Sequence, residues 1–177
     1  ADIFTRHGIL LCLGRHKRQR RIAMNTYMKI AIDEARKGIA QNDGGPFGAV
    51  VVKNGTVIGK GHNRVAKNND PTCHGEMEAI RDACKNLDTF DLSGADIYTT
   101  GQPCVMCLGA ILWSNINHIY YGCSIAENDM IGFRDDVFSK TLEINMEKIQ
   151  DKISQIDHEE CLQLFRDYMK ITDKTMY

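Results

Sequence analysis

Two short runs hold the residues that can do chemistry together: His74-Gly75-Glu76, and Pro103-Cys104-Val105-Met106-Cys107. One imidazole and two thiolates make a donor set suited to zinc, and three protein ligands leave a fourth position for water. Water held on such an ion ionises near pH ~7, and a carboxylate that is not a ligand can carry its protons. His74, Cys104 and Cys107 are therefore the expected ligands of one zinc per chain, and Glu76 the proton carrier. A structural zinc site would want a fourth protein ligand, typically from a second Cys-x-x-Cys or a His-x-x-x-His, and none occurs with that spacing. Cys73, Cys123 and His118 are the side chains left that can supply one. Glu76 on its own reads as an ordinary solvated helix carboxylate, so its role depends on the three ligands.

The elements that must position these groups follow from pattern. Asn25 or Thr26 can cap a first helix with Met28, Ile32 and Ala35 on one stripe, continued by Ile39 past Gly38. Residues 47–53 and 56–63 read as strands joined at Asn54-Gly55, a strong hairpin signal. Residues 73–87 have helical period, which puts His74 and Glu76 in a first turn, and 95–100 form a short strand. Pro103 suits the first turn of a helix running to about Ser114. Cys104 and Cys107, three apart, then share one face at a helix amino terminus that favours thiolates. A fourth strand covers 116–123; Gly132-Phe133-Arg134-Asp135-Asp136 reads as a loop, 143–156 is ambiguous, and 159–171 is a last helix. Strands alternating with helices predict an α/β fold, a three-layer α/β/α sandwich on a mixed sheet of about five strands.

Composition sets limits. The 177 residues suit one domain with a real core, and no apolar run is long enough to span a membrane. Seven cysteines, an odd number in a chain that is not small, suggest reduced thiols and a cytoplasmic setting. Residues 1–23 carry six basic side chains against one acidic, plus five, so residues 24–177 carry minus six of the total minus one. The acidic body makes nucleic acid an unexpected partner and favours a small molecule. The leading 1–23 stretch is read as a basic extension outside the domain, non-native or disordered, with a nucleic-acid arm as the other reading.

The pattern H-x-E…P-C-x-x-C resembles the known signature of zinc nucleobase deaminases. Residues 24–177 resemble the cytidine-deaminase superfamily, and most closely its bacterial guanine deaminases. The nearer match rests on Gly44-Gly45-Pro46-Phe47-Gly48-Ala49-Val50, Asn68-Asn69-Asp70-Pro71-Thr72, Met106-Cys107-Leu108-Gly109-Ala110-Ile111 with Trp113, Gly132-Phe133, and Tyr177. The resemblance implies that Phe47 stacks on a purine, Asn63 bonds its edge, and Trp113 and Tyr177 belong to the substrate site. It also implies a second acidic group near the leaving amine. The Asp-Asp-x-Phe run makes Asp136 the better match, whereas counting from Gly132 selects Asp135. The family exchanges its C-terminal segment between subunits, which implies a domain-swapped homodimer. Two departures are Gly75, where alanine is usual, and Gln102, where glutamate usually precedes the Pro-Cys pair.

The expected activity is hydrolytic deamination of guanine to xanthine and ammonia. Two rivals remain at this point. A tRNA adenosine deaminase would share Pro103-Cys104-Val105-Met106-Cys107 and Asp70-Pro71-Thr72; other bases or nucleosides are variants of the same chemistry. From another class, a non-catalytic, zinc-stabilised dimeric scaffold would need the fourth ligand.

Overall fold

The computed structural model describes residues 23–142 and 146–174, so residues 1–22 and Tyr177 lie outside the described residues. The first element among the described residues is α1 (Thr26–Ala40), whose first amides are capped by Asn25: its Oδ1 accepts from the backbone of Tyr27 and Met28. β1 (Gly48–Lys53) and β2 (Thr56–His62) form the expected hairpin. Asn54 and Gly55 both take positive φ, 52° and 76°, the geometry that matches a tight turn to strand twist. After the four-residue α2 (Val65–Asn68) come α3 (Gly75–Leu87), β3 (Ala95–Gly101), α4 (Val105–Trp113) and β4 (His118–Cys123).

The five-stranded sheet has the order β2-β1-β3-β4-β5, where β5 is Ile153–Gln155. β1 pairs antiparallel with β2 and β3, whereas β3–β4 and β4–β5 are parallel, so the sheet is mixed as the sequence predicts. Alternate residues of β1 feed two cores. Ala49 and Val51 pack with Ala79, Ile80, Leu108 and Ile111 of α3 and α4, and Val50 and Val52 face Tyr27, Ile30 and Tyr98. On that second side α1 meets α7 (His158–Met169), with Met28, Ala31, Cys161, Leu164 and Phe165 in one buried cluster. Helices therefore cover both faces, giving three layers.

Differences fall after β4. Two short helices, α5 (Ile125–Met130) and α6 (Asp135–Thr141), occupy a stretch where only a loop is predicted, so Asp135 and Asp136 open a helix. The ambiguous stretch contains a 3-10 turn, Met146–Ile149, and β5. Trp113, which the resemblance puts at the substrate site, is 86 % exposed at the end of α4.

Candidate active site

Two helix starts meet at the carboxyl end of β3. His74 is the N-cap residue of α3 and Cys104 that of α4, and Glu76 and Cys107 follow in the respective first turns. Pro103 precedes the cap rather than sitting inside the helix. His74 Nδ1 lies 3.7 Å from Cys104 Sγ and 3.6 Å from Cys107 Sγ. A tetrahedral zinc with N and S bonds of about 2.05 and 2.3 Å holds such donors roughly 3.6 Å apart. The residues thus fit the ion, and all three donor atoms fall within 4.8 Å of one another.

The other three candidate ligands are engaged elsewhere. Cys73 bonds with Asn68 and Asp70, and His118 Nε2 lies 2.9 Å from Ser154 Oγ. Cys123 sits in the α1–α7 core beside Cys161. Among the described residues no fourth protein ligand joins the group. An open coordination position is the mark of a catalytic site, and the scaffold reading loses its premise.

Electrostatics follow from burial. Cys104 is drawn down to about 4 by the hydrogen bond from Cys107, helped by His74, and Cys107 is pushed up by the same bond. Burial lowers His74, but the Cys104 contact and the Glu76 charge outweigh it and leave its pKa raised. Glu76 is 5 % exposed; burial, with the neighbouring Cys104 thiolate, pushes its carboxyl up to about 7. A carboxyl in that range can both take and give a proton near neutral pH.

A small cavity of about 20 Å³ lies among Phe47, Asn63, His74, Glu76, Asn128 and Asp135, room for about one water. His74, Phe133 and Asp135 also wall a larger cleft of about 490 Å³, whose other walls include Val65, Pro71, Val105, Met106 and Phe138. Phe47 is held edge-on by Phe133 at 4.8 Å and Phe165 at 5.5 Å. Asn63 is buried, and its backbone N–H donates to the Phe47 carbonyl at 2.8 Å. Gly75 makes this closeness possible, since a Cβ there would stand 2.9 Å from that carbonyl oxygen.

The structure separates the two aspartates. Asp135 lines both cavities and is raised by burial and by Cys104. Asp136 turns outward and pairs with exposed Lys140 at 2.6 Å. Trp113 lines neither cavity. Sequence reasoning missed Asn128, although Ser124 and Glu127, which form a capping box, carried a readable signal for the helix that holds it.

Relatives agree with this geometry. Residues 22–123 match the family described as cytidine and deoxycytidylate deaminase zinc-binding region. A guanine deaminase of Bacillus subtilis (strain 168) is 37 % identical over 86 % of this chain and 97 % of its own. The solved guanine deaminase structure from that species superposes with a TM-score of 0.66 at 36 % identity, covering 88 % of this chain and 99 % of the other. A guanine deaminase structure from Nitrosomonas europaea gives a TM-score of 0.69 at 27 % identity, over 94 % and 97 % of the two chains. A tRNA-specific adenosine deaminase of Aquifex aeolicus (strain VF5) is 40 % identical over 54 % of this chain and 62 % of its own. With a His/Cys/Cys group that could hold one metal ion, a buried carboxyl beside it and this family match, the chain belongs to the cytidine and deoxycytidylate deaminase zinc-binding family, hydrolytic enzymes acting on nucleobases.

Proposed function

We propose that the protein deaminates guanine, converting guanine and water to xanthine and ammonia. The observation that carries this reading is the reach of the likeness. The guanine deaminase of Bacillus subtilis matches 86 % of this chain and 97 % of its own, and the solved guanine deaminase structures cover 88 % and 94 % of this chain, whereas a tRNA-specific adenosine deaminase of Buchnera aphidicola matches 81 % of it and the Aquifex enzyme 54 %.

His74, Cys104 and Cys107 would hold zinc, which when bound would supply a water acidic enough to react near neutral pH. Glu76 would accept the proton of the attacking water as the amino-bearing ring carbon gains oxygen, pass a proton to the ring, and help the amine leave as ammonia. Asp135 is the second carboxylate, placed to bond the departing amine; Asp136, paired with Lys140, has no such place in the mechanism. Phe47 offers a flat face to a purine, and Asn63 bonds the base edge. Buried polar groups of this kind discriminate by leaving a wrong base with unpaired atoms.

The working form in this reading is a homodimer with the C-terminal segment exchanged, so that Tyr177 closes the partner's cleft. Support comes from an exposed apolar set at the ends of α4 and α6: Leu112, Trp113, Val137 and Phe138.

The test is zinc content, expected at about one ion per chain, together with ammonia release from guanine, adenine, cytosine, their nucleosides and tRNA. Guanine should be turned over best. Silence on guanine beside clear turnover of another substrate sinks the assignment, and a steeply salt-dependent affinity for tRNA would favour the tRNA enzyme instead.

A further inference from the structure

Asn128 belongs to the stretch with the weakest sequence signal, yet its side chain is 1 % exposed and faces the inner cavity. Its Nδ2 donates to Asp135 Oδ2 at 2.9 Å and to the Gln102 backbone carbonyl at 3.3 Å. Both partners only accept, so the amide nitrogen must face them. Turned over, the amide would set its oxygen against a carboxylate.

That orientation leaves Asn128 Oδ1 buried and without a hydrogen-bond partner. A buried carbonyl oxygen without a partner is costly, and a site with only a packing role would be filled at less cost by leucine. What offsets the cost is the bond to Asp135, for which Asn128 is the one hydrogen-bond donor among the described residues. The amide is itself firmly placed. The Asn128 carbonyl accepts from the N–H groups of Ile131 and Phe133, and Gln102 Oε1 accepts from the Ile125 amide at the start of the same helix. Asn128 therefore ties the cysteine loop, through Gln102, to the aspartate that opens α6.

We infer that Asn128 is the positioning residue of Asp135, aiming its carboxylate into the cavity beside Glu76 through the Nδ2–Oδ2 bond. The inference rests on the reading of Asp135 as the second carboxylate of a base deaminase. It makes no claim that Asn128 touches the substrate.

A double-mutant cycle tests it. Asn128→Leu should lower kcat about tenfold, leave KM for the base within about twofold, and keep the zinc content of the wild type. In an Asp135→Ala background the same change should alter kcat less than about twofold, because the group it positions is gone. An equal loss in both backgrounds, or no loss in the first, overturns the inference. If Asn128→Leu does not fold, Asn128→Ser, too short to reach Asp135, replaces it in the same cycle.

A second readout needs no turnover. The Asn128 side-chain amide signal in a ¹H–¹⁵N spectrum, assigned by its loss in Asn128→Leu, should move in Asp135→Ala; an unmoved signal also overturns the inference. If the wild type ignores guanine, the substrate proposal alone has failed, and the cycle is run on whichever base releases ammonia.

Discussion

Cys107 Sγ stands 3.6 Å from His74 Nδ1, though 33 residues separate the two along the chain. That is the spacing two ligands of one tetrahedral zinc would keep, and α3 and α4 deliver it through their first turns. Cys107→Ala removes one of the three proposed ligands, so bound zinc should fall from about one ion per chain to near none. Ammonia release should disappear with it. Metal analysis of the purified variant checks the first outcome, and full zinc occupancy would show that Cys107 is not a ligand. Chelation of the wild type should lower its melting temperature as well, because the ion binds the folded site and not the unfolded chain.

Asp135 and Asp136 are neighbours with opposite surroundings. Asp135→Ala takes a carboxylate out of the cavity and should lower kcat by about 10²-fold or more, the range for a proton-handling group. Asp136→Ala breaks only a solvent-screened pair with exposed Lys140 and should leave kcat within about twofold. Steady-state kinetics on the two variants side by side decides between them; a larger loss in Asp136→Ala would reverse the assignment.

The grouping of His74, Cys104 and Cys107 was legible because the signals are local: each sits at a helix start that a turn or Pro103 announces. The first four strands and α1, α3, α4 and α7 were legible for the same reason, since period and turn residues agree with the tertiary fold. The aspartate pair was not. A motif counted along the chain cannot say which of two adjacent carboxylates faces inward, because that depends on how α6 lies against Phe133 and Asn128. Nor does a three-residue strand such as β5 carry enough pattern to be seen, since its place comes from pairing with β4. Trp113 is a further case: the resemblance puts it at the substrate site, and in the fold it ends α4 in the open, lining neither cavity.

His62 lies buried between two carboxylates, with Nε2 2.8 Å from Asp43 and Nδ1 3.4 Å from Glu34. Burial raises both acids, but His62 with Lys67 at Asp43, and Lys60 with His62 at Glu34, outweigh it, so both pKa values end below the ordinary range. A depressed folded pKa contributes stability above the unfolded value, 3.8 for Asp43, and that contribution is lost as pH falls through the folded value. Asp43→Asn should therefore lower stability near neutral pH by about 1.5–3 kcal/mol, the scale of a hydrogen bond to a charged group. The gap from wild type should close in acid below that value. Melting curves taken across the acid range test this; a gap independent of pH would mean that the carboxylate's charge contributes nothing.

Gly101 closes β3 where Phe47 and Asn128 come together. A Cβ at this position would stand 2.9 Å from Asn128 Oδ1 and 3.0 Å from the Phe47 ring, closer than side chains tolerate. Backbone strain is not the issue, because this glycine does not adopt positive φ. Gly101→Ala should therefore displace the proposed purine-stacking ring and the amide that holds Asp135 while leaving His74, Cys104 and Cys107 in place. Zinc content should stay at about one ion per chain, and kcat/KM should fall by about tenfold or more, since misplacing a positioned group by about 1 Å can cost 10²-fold. Loss of zinc from this variant would mean that the glycine supports the metal helices instead. Unchanged kinetics would mean that Phe47 and Asn128 can shift without consequence, which would weaken the roles given to both.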